Sequence, residues 1–341
     1  MKTISLAILG YGNAGRAFGR LLLEKIPEIK EQYDVDVIVT AIATKTKGSL
    51  TCETGIDLKK IEQELAQNRK FTDGISMCAR EIATSSNYDV LVEITPLDIF
   101  SGQPAIDHMK IAFSRGKHVI TANKGPLAWA FDELKTLAEK NNSKFFYEST
   151  VMDGTPIFNL YENTLKGCKL IEFRGILNTT TNFILKGLED GIPYEDIIAE
   201  GKRRGFVEAD PNMDIEGYDS AAKTAVLMNV LFDAKVTPLG ISRKGIEDIT
   251  PEMLVDAKKR GKTIKLMCGG SFISGKSVGY VRPEEIEAGD LFATINDTAS
   301  AISISTDLMG KVSVIQHDSE VEQTAYGLFG DLLRVIESRQ T

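Results

Sequence analysis

Residues 4–15 read ISLAILGYGNAG, and this run decides the fold of the amino-terminal half. Ile4–Leu9 is a short apolar stretch, the pattern of a strand buried in a parallel sheet. Gly10-Tyr11-Gly12-Asn13-Ala14-Gly15 follows at once, and then a helix with Ala14, Phe18, Leu21 and Leu22 on one face. Strand, GxGxxG and helix stand in the order that a dinucleotide site requires. Gly10 permits the tight turn, Gly12 lets backbone approach a pyrophosphate, and Gly15 lets the helix pack close to the strand. Asn13 and Ala14 open the helix, whose amino terminus attracts phosphate charge. The alternative is a glycine turn with a purely structural purpose.

The second strand is expected at Val37–Ile42. An NAD site usually ends this strand with Asp or Glu, to accept from the ribose 2′-hydroxyl. Here the chain reads Ala43-Thr44-Lys45-Thr46-Lys47, with no acid. Two lysines and two hydroxyls, Lys45 and Lys47 with Thr44 and Thr46, suit a 2′-phosphate, which favours NADP slightly over NAD; a solvated lysine loop is the plainer reading. Further strands are expected at Tyr88–Pro96 and Lys117–Ala122, with a helix over Ile106–Arg115 and another after Asn123-Lys124-Gly125-Pro126. This alternation predicts an α/β fold with a Rossmann-type doubly wound parallel sheet. Thr95 and Lys124 fall just past strand carboxyl ends, where open α/β sheets bind ligands.

The chain has 341 residues and a net charge of −8. That length suits two domains. The negative charge argues against non-specific nucleic-acid binding and for a cytoplasmic protein. MKTISLAILGYG does not read as a signal peptide, because its apolar run ends in a glycine turn. No run is long and apolar enough to span a membrane. Cys52, Cys78, Cys168 and Cys268 are far apart, as befits reduced thiols. His108 lies in an expected surface helix, and neither it, His118 nor His317 is spaced for a metal or a nucleophile.

The second informative stretch is Phe206–Phe232, FVEADPNMDIEGYDSAAKTAVLMNVLF. It opens with Glu208, Asp210, Asp214, Glu216 and Asp219, then becomes an apolar helix. Lys223 is the only charged residue between Asp219 and Asp233. Asp219 and Lys223 are four apart, hence on one helix face. A partly desolvated lysine beside carboxylates can move protons near neutral pH, and the acidic cluster can hold an ammonium. An ordinary intrahelical ion pair is the competing reading. A calcium loop is not: Ile215 stands at the turn-glycine position and Ala221 at that of the bidentate acid.

Between these stretches, Lys144–Glu148 reads as a strand leading into Ser149–Pro156, an irregular turn that offers oxygen ligands beside Glu148 or merely crosses between domains. Leu170–Leu177 reads as a strand before the polar patch Asn178-Thr179-Thr180-Thr181-Asn182, with a helix from Phe183. Short strands are expected near Ser277–Val281, Leu291–Ile295, Ala301–Ser305 and Val312–Gln316. The division expected is a dinucleotide-binding domain at 1–135, to which 311–341 returns, and an α+β catalytic and dimerisation domain at 136–310.

Six motifs in order, GYGNAG at 10–15, HVITANKGPLA at 118–128, YESTVMDGTPI at 147–157, GILNTTTNFIL at 175–185, GFVEADPNMDIEGYDSAAK at 205–223 and ISRKGIEDIT at 241–250, closely resemble homoserine dehydrogenase. The resemblance covers essentially the whole chain and is that of the short form, without an amino-acid-sensing domain or fused aspartate kinase. It implies reversible reduction of L-aspartate 4-semialdehyde to L-homoserine with NAD(P)H, on the route to threonine and methionine. It implies Lys223 as general acid/base, Lys124 as a second lysine near the reacting oxygen, and Glu208, Asp214, Asp219 and Thr180 as substrate-binding residues. It also implies a homodimer joined through the second domain, and in some members a sodium ion on Glu148 and the carbonyls of Val151, Asp153 and Thr155. Thr179 departs from the family's NGT glycine, Asp153 from a small residue, and Thr44 from a frequent Asp. His317–Thr324 replaces a glycine-rich run near the cofactor, which leads us to expect altered cofactor affinity. Two other functions fit parts of the chain: a catalytically inactive dinucleotide sensor, and a semialdehyde dehydrogenase using a cysteine such as Cys168.

Overall fold

The computed structural model describes residues 2–339 apart from 69, 209, 274–275 and 318. It divides into two compact units, Met1–Pro156 with Glu320–Thr341, and Ile157–Ser319.

In the first unit the chain runs β1 (Lys2–Leu9), α1 (Asn13–Tyr33), β2 (Val35–Ala43), β3 (Ser49–Thr51), α2 (Leu58–Asn68), α3 (Ala79–Ser85), β4 (Val90–Glu93), α4 (Ala105–Ser114), β5 (His118–Thr121), α5 (Lys124–Lys140) and β6 (Phe145–Phe146). The sheet order is β3-β2-β1-β4-β5-β6. All pairs are parallel except β2 with β3. Alternate residues of these short apolar strands feed two cores. Ile4, Leu6 and Ile8 pack with Phe18 and Leu22 of α1 and with Leu328 and Leu332 of the carboxyl-terminal helix. Ala7 and Leu9 pack with Met109, Phe113 and Leu134 of α4 and α5. Helices therefore cover both faces, the doubly wound arrangement. The order reverses between β1 and β4, so the loops after these two strands open side by side at the switch point, where such sheets take ligands.

The second unit contains β7 (Leu170–Ile176), α6 (Thr179–Glu189), α7 (Tyr194–Arg204), α8 (Asn212–Ile215), α9 (Tyr218–Phe232), β8 (Ser242–Arg243), α10 (Pro251–Lys259), β9 (Lys262–Ile273), β10 (Lys276–Glu287), β11 (Ser300–Thr306) and β12 (Gly310–Gln316). Its mixed sheet has the order β12-β11-β7-β9-β10-β8. The apolar helix α9 lies against β9 and β10. Gly270 and Gly279 make room for it, since a Cβ at either would meet the Met228 side chain at 2.3 Å and 3.3 Å. The last helix, α11 (Val321–Ser338), belongs to the first unit.

Several local expectations change. Leu291–Ile295, expected as a strand, starts instead as a 3₁₀ turn at Leu291–Thr294. Asp290 caps that turn by accepting from the Phe292 N–H at 2.9 Å, and Phe292 is buried. The helix expected from Phe183 begins at Thr179, because the Asn178 side chain accepts from the Thr181 N–H. Such a cap stabilises a helix by about 1 kcal/mol. The return to the first unit begins at Glu320, not residue 311, since Gly310–Gln316 pairs along its length with Ser300–Thr306. The first unit runs on to Pro156, past 135, because Phe145 and Phe146 extend its parallel sheet. Among the described residues, no helix is long and apolar enough to cross a membrane.

Candidate active site

Gly10 sits at φ 97°, and a Cβ there would lie 2.2 Å from the Ile94 carbonyl oxygen. Only glycine tolerates that conformation and that approach. A Cβ at Gly15 would lie 2.6 Å from the Gly10 oxygen. Gly12 differs: its φ is −81°, and among the described residues nothing lies within 4 Å of where its Cβ would be. The protein itself does not require glycine there; a phosphate drawn close to the backbone does. Gly12 is the N-cap of α1 with no side-chain cap, and the first turn holds no acid. Its N–H groups thus suit an anion. These residues fit a dinucleotide.

The loop after β2 is built by Thr44, whose hydroxyl donates to Gly48 O at 2.9 Å and accepts from the Lys47 N–H at 2.8 Å. Lys45 is exposed. Lys47 folds back and donates to the Tyr11 carbonyl within the glycine loop. Burial first, and then Arg16, lower the Lys47 pKa. Arg16 is itself held by Glu62 of α2, with Nη2 to Oε2 at 3.0 Å. Lys47, one of the two lysines that suit a phosphate, is therefore held against the glycine loop. Across the switch point, the Thr95 hydroxyl donates to Glu93, and the Asn123 amide donates to Thr95 O at 3.1 Å. Asn123 also caps α5 through the Gly125 N–H, which fixes the turn bearing Lys124.

In the second unit, Lys223 Nζ donates to Leu177 O at 2.6 Å and lies 3.4 Å from Asp219 Oδ2. The two side chains are 18% and 16% exposed, so the amine is partly withdrawn from water. Asn178 joins the group: its amide donates to Asp214 Oδ1 at 2.6 Å and Asp219 Oδ2 at 3.0 Å. Burial first, then repulsion from Asp219, raise the Asp214 pKa; Asn178 and Thr180 oppose this by hydrogen bonding. The structure thus brings together Lys223, Asp219, Asp214 and Thr180. Glu208 is exposed and outside this hydrogen-bonded group. Asn178 was legible in the sequence as a helix cap, but not as the bridge between two carboxylates. Burial pushes the Cys268 thiol up to about 11, which disfavours its thiolate.

Glu148, Ser149 and Thr150 form a buried 3₁₀ turn, followed by buried Val151 and by Asp153 at φ 50°. The Glu148 N–H donates to Asp331 Oδ2 at 2.9 Å. Burial pushes the Asp331 pKa up to about 7, and the Glu148 charge adds to that rise. Two buried carboxylates whose charges act on each other suit a small cation. Among the described residues, no group of three His, Cys, Asp or Glu side chains is arranged to hold a metal, so carbonyl ligands would have to complete the set. Of the 317–324 segment, Asp318 lies outside the described residues.

The family model for homoserine dehydrogenase matches residues 156–333, and that for its NAD-binding domain matches residues 10–148. The homoserine dehydrogenase of Methanocaldococcus jannaschii is 35% identical over 98% of this chain and 99% of its own length. This chain belongs to the homoserine dehydrogenase family. A relative from Pseudomonas canavaninivorans, named an NAD(+)-dependent homoserine dehydrogenase, is 30% identical over 99% of this chain and 97% of its own. The solved structure of a hyperthermophilic archaeal homoserine dehydrogenase in complex with NADPH has a TM-score of 0.83 and 26% identity, over 97% of each chain. The fold, with a dinucleotide-binding unit and a second α+β unit, is that of homoserine dehydrogenases, and the activity is that of an oxidoreductase acting on a CH–OH group.

Proposed function

We propose that Lys223 moves the proton in the interconversion of L-aspartate 4-semialdehyde and L-homoserine. The bound dinucleotide supplies or accepts the hydride. In the reducing direction the Lys223 ammonium gives its proton to the aldehyde oxygen, is left as the neutral amine and regains a proton from solvent; oxidation reverses this. The observation that carries the reading is the hold on the amine: Leu177 O on one side and the Asp219 carboxylate on the other. Such a hold fixes the direction of proton delivery. Asp214, Asp219, Thr180 and Glu208 bind the substrate, with its ammonium met by the carboxylates. Lys124 is the second catalytic lysine, placed by the capped start of α5.

The cofactor is seated on Gly10, Gly12, Asn13, Ala14 and Gly15, with Thr44, Lys45, Thr95 and Lys124 around it. NADP is favoured slightly. The support is the absence of an acid after β2 and the presence of Lys45, Lys47 and Arg16; an NADPH-bound relative agrees, whereas an NAD(+)-dependent one leans the other way. We place a sodium ion at Glu148 with the carbonyls of Val151, Asp153 and Thr155, and a homodimer built through the second unit in the cytoplasm. Homoserine oxidation measured side by side with NAD and NADP tests the cofactor reading. A higher kcat/KM with NADP, lost in a Lys45→Ala, Lys47→Ala double variant, is the expected result; an unchanged preference in that variant contradicts it.

A further inference from the structure

His108, expected on a helix surface, is buried. Its Nδ1 lies 3.3 Å from Oε1 of Glu93, which is also fully buried. The same Oε1 accepts from the Thr95 hydroxyl, while Oε2 has no hydrogen-bond partner among the described residues. A buried carboxylate is costly unless its site needs it. What this one does is hold the loop after β4. A separate chain of hydrogen bonds runs to the neighbouring loop from the Glu93 backbone rather than its side chain: the Thr121 hydroxyl donates to the Glu93 carbonyl at 2.7 Å, and the Asn123 N–H donates to Thr121 Oγ1 at 2.9 Å. The Asn123 side chain then ties Thr95 O to the Gly125 N–H, at 3.1 Å and 3.0 Å. Gly125 is pressed against this network, its would-be Cβ 3.2 Å from Asn123 Oδ1.

We infer that Glu93 and His108 are a positioning pair for hydride transfer: they touch neither substrate nor cofactor, but fix Thr95 and, through Asn123, the turn that carries Lys124. This rests on the reading of Thr95 and Lys124 as residues of the reaction site. The pair explains why a polar histidine is buried on the helix that also buries Met109, Ala112 and Phe113.

The test uses the full-length enzyme with Glu93→Gln, His108→Gln, Thr95→Val, the Glu93→Gln/Thr95→Val double variant and Lys124→Ala. Readouts are kcat, KM for homoserine, melting temperature, and the primary isotope effect on homoserine deuterated at C4. Glu93→Gln is expected to lower kcat by about tenfold or more, with KM for homoserine within about twofold. The isotope effect should rise, because a mis-seated donor and acceptor make hydride transfer more rate-limiting; a merely structural role would not move it. The double variant should be no worse than Glu93→Gln alone, since both act through one contact. If Glu93→Gln fails to fold, His108→Gln carries the same expectation. A folded Glu93→Gln or His108→Gln enzyme with wild-type kcat and isotope effect, beside a crippled Lys124→Ala, overturns the positioning role and leaves the site reading standing. Wild-type turnover in Lys124→Ala is a separate outcome: it overturns the site reading, and the inference with it.

Discussion

The Thr324 hydroxyl donates to the Asp153 carboxylate at 3.2 Å. Both positions fall in segments that the sequence alone marks as unusual for the resemblance, and the two meet each other. Around them α11 grips the 148–155 loop: Ser149 Oγ donates to Thr324 O at 2.8 Å, and Asp331 accepts from the Glu148 N–H. Gly154, at φ 138°, lies so close to Gly327 that a Cβ would approach its backbone to 2.8 Å.

Asp153 holds a left-handed conformation, φ 50°. Replacing it by Gly or Ala deletes the bond to Thr324, at a cost of about 0.5–1.5 kcal/mol. Alanine adds roughly 1 kcal/mol of backbone strain that glycine escapes. Thermal denaturation should therefore rank wild type above Asp153→Gly, and Asp153→Gly above Asp153→Ala by a few degrees. An alanine variant as stable as the glycine variant contradicts this.

The doubly wound unit was legible because its strands are short, apolar and separated by helical periodicity, and because GxGxxG has one structural meaning between a strand and a helix. Lys223 and Asp219 were legible because a lone charge in an apolar helix has few uses. What stayed hidden depends on contacts far along the chain. His108 looks like a surface residue until Glu93, fifteen positions away, is placed beside it. Lys47 suits a phosphate on sequence alone, but its bond to Tyr11 O shows only once the fold brings the two loops together. Leu291–Ile295 has strand composition, but Asp290 offers a local cap that wins.

Asp331 gives a pH test with a definite sign. Its pKa is pushed up to about 7 from 3.8. Between those values the folded state keeps a proton that the unfolded state has lost, so stability falls as pH rises through this window. The contribution is fully present below the unfolded pKa and gone above the folded one. Asp331→Asn keeps an acceptor for the Glu148 N–H and lacks the charge. Its melting temperature relative to wild type should rise between about pH 4 and about pH 8. A difference that is flat with pH would show that Asp331 stays ionised.

Asn178→Ser keeps an oxygen to cap α6. It deletes the amide that bonds the ionised forms of Asp214 and Asp219. Loss of that donor raises the Asp214 pKa further. The acid limb of kcat/KM for homoserine should move to higher pH, with a larger KM at neutral pH. Unchanged profiles would remove Asp214 from substrate binding.

Proton transfer by Lys223 is the central claim, and single-turnover oxidation of homoserine by Lys223→Met, with NADP binding followed in parallel, tests it most directly. The account predicts cofactor affinity within about twofold of wild type and hydride transfer slower by roughly two to four orders of magnitude. Transfer at the wild-type rate in that variant contradicts it.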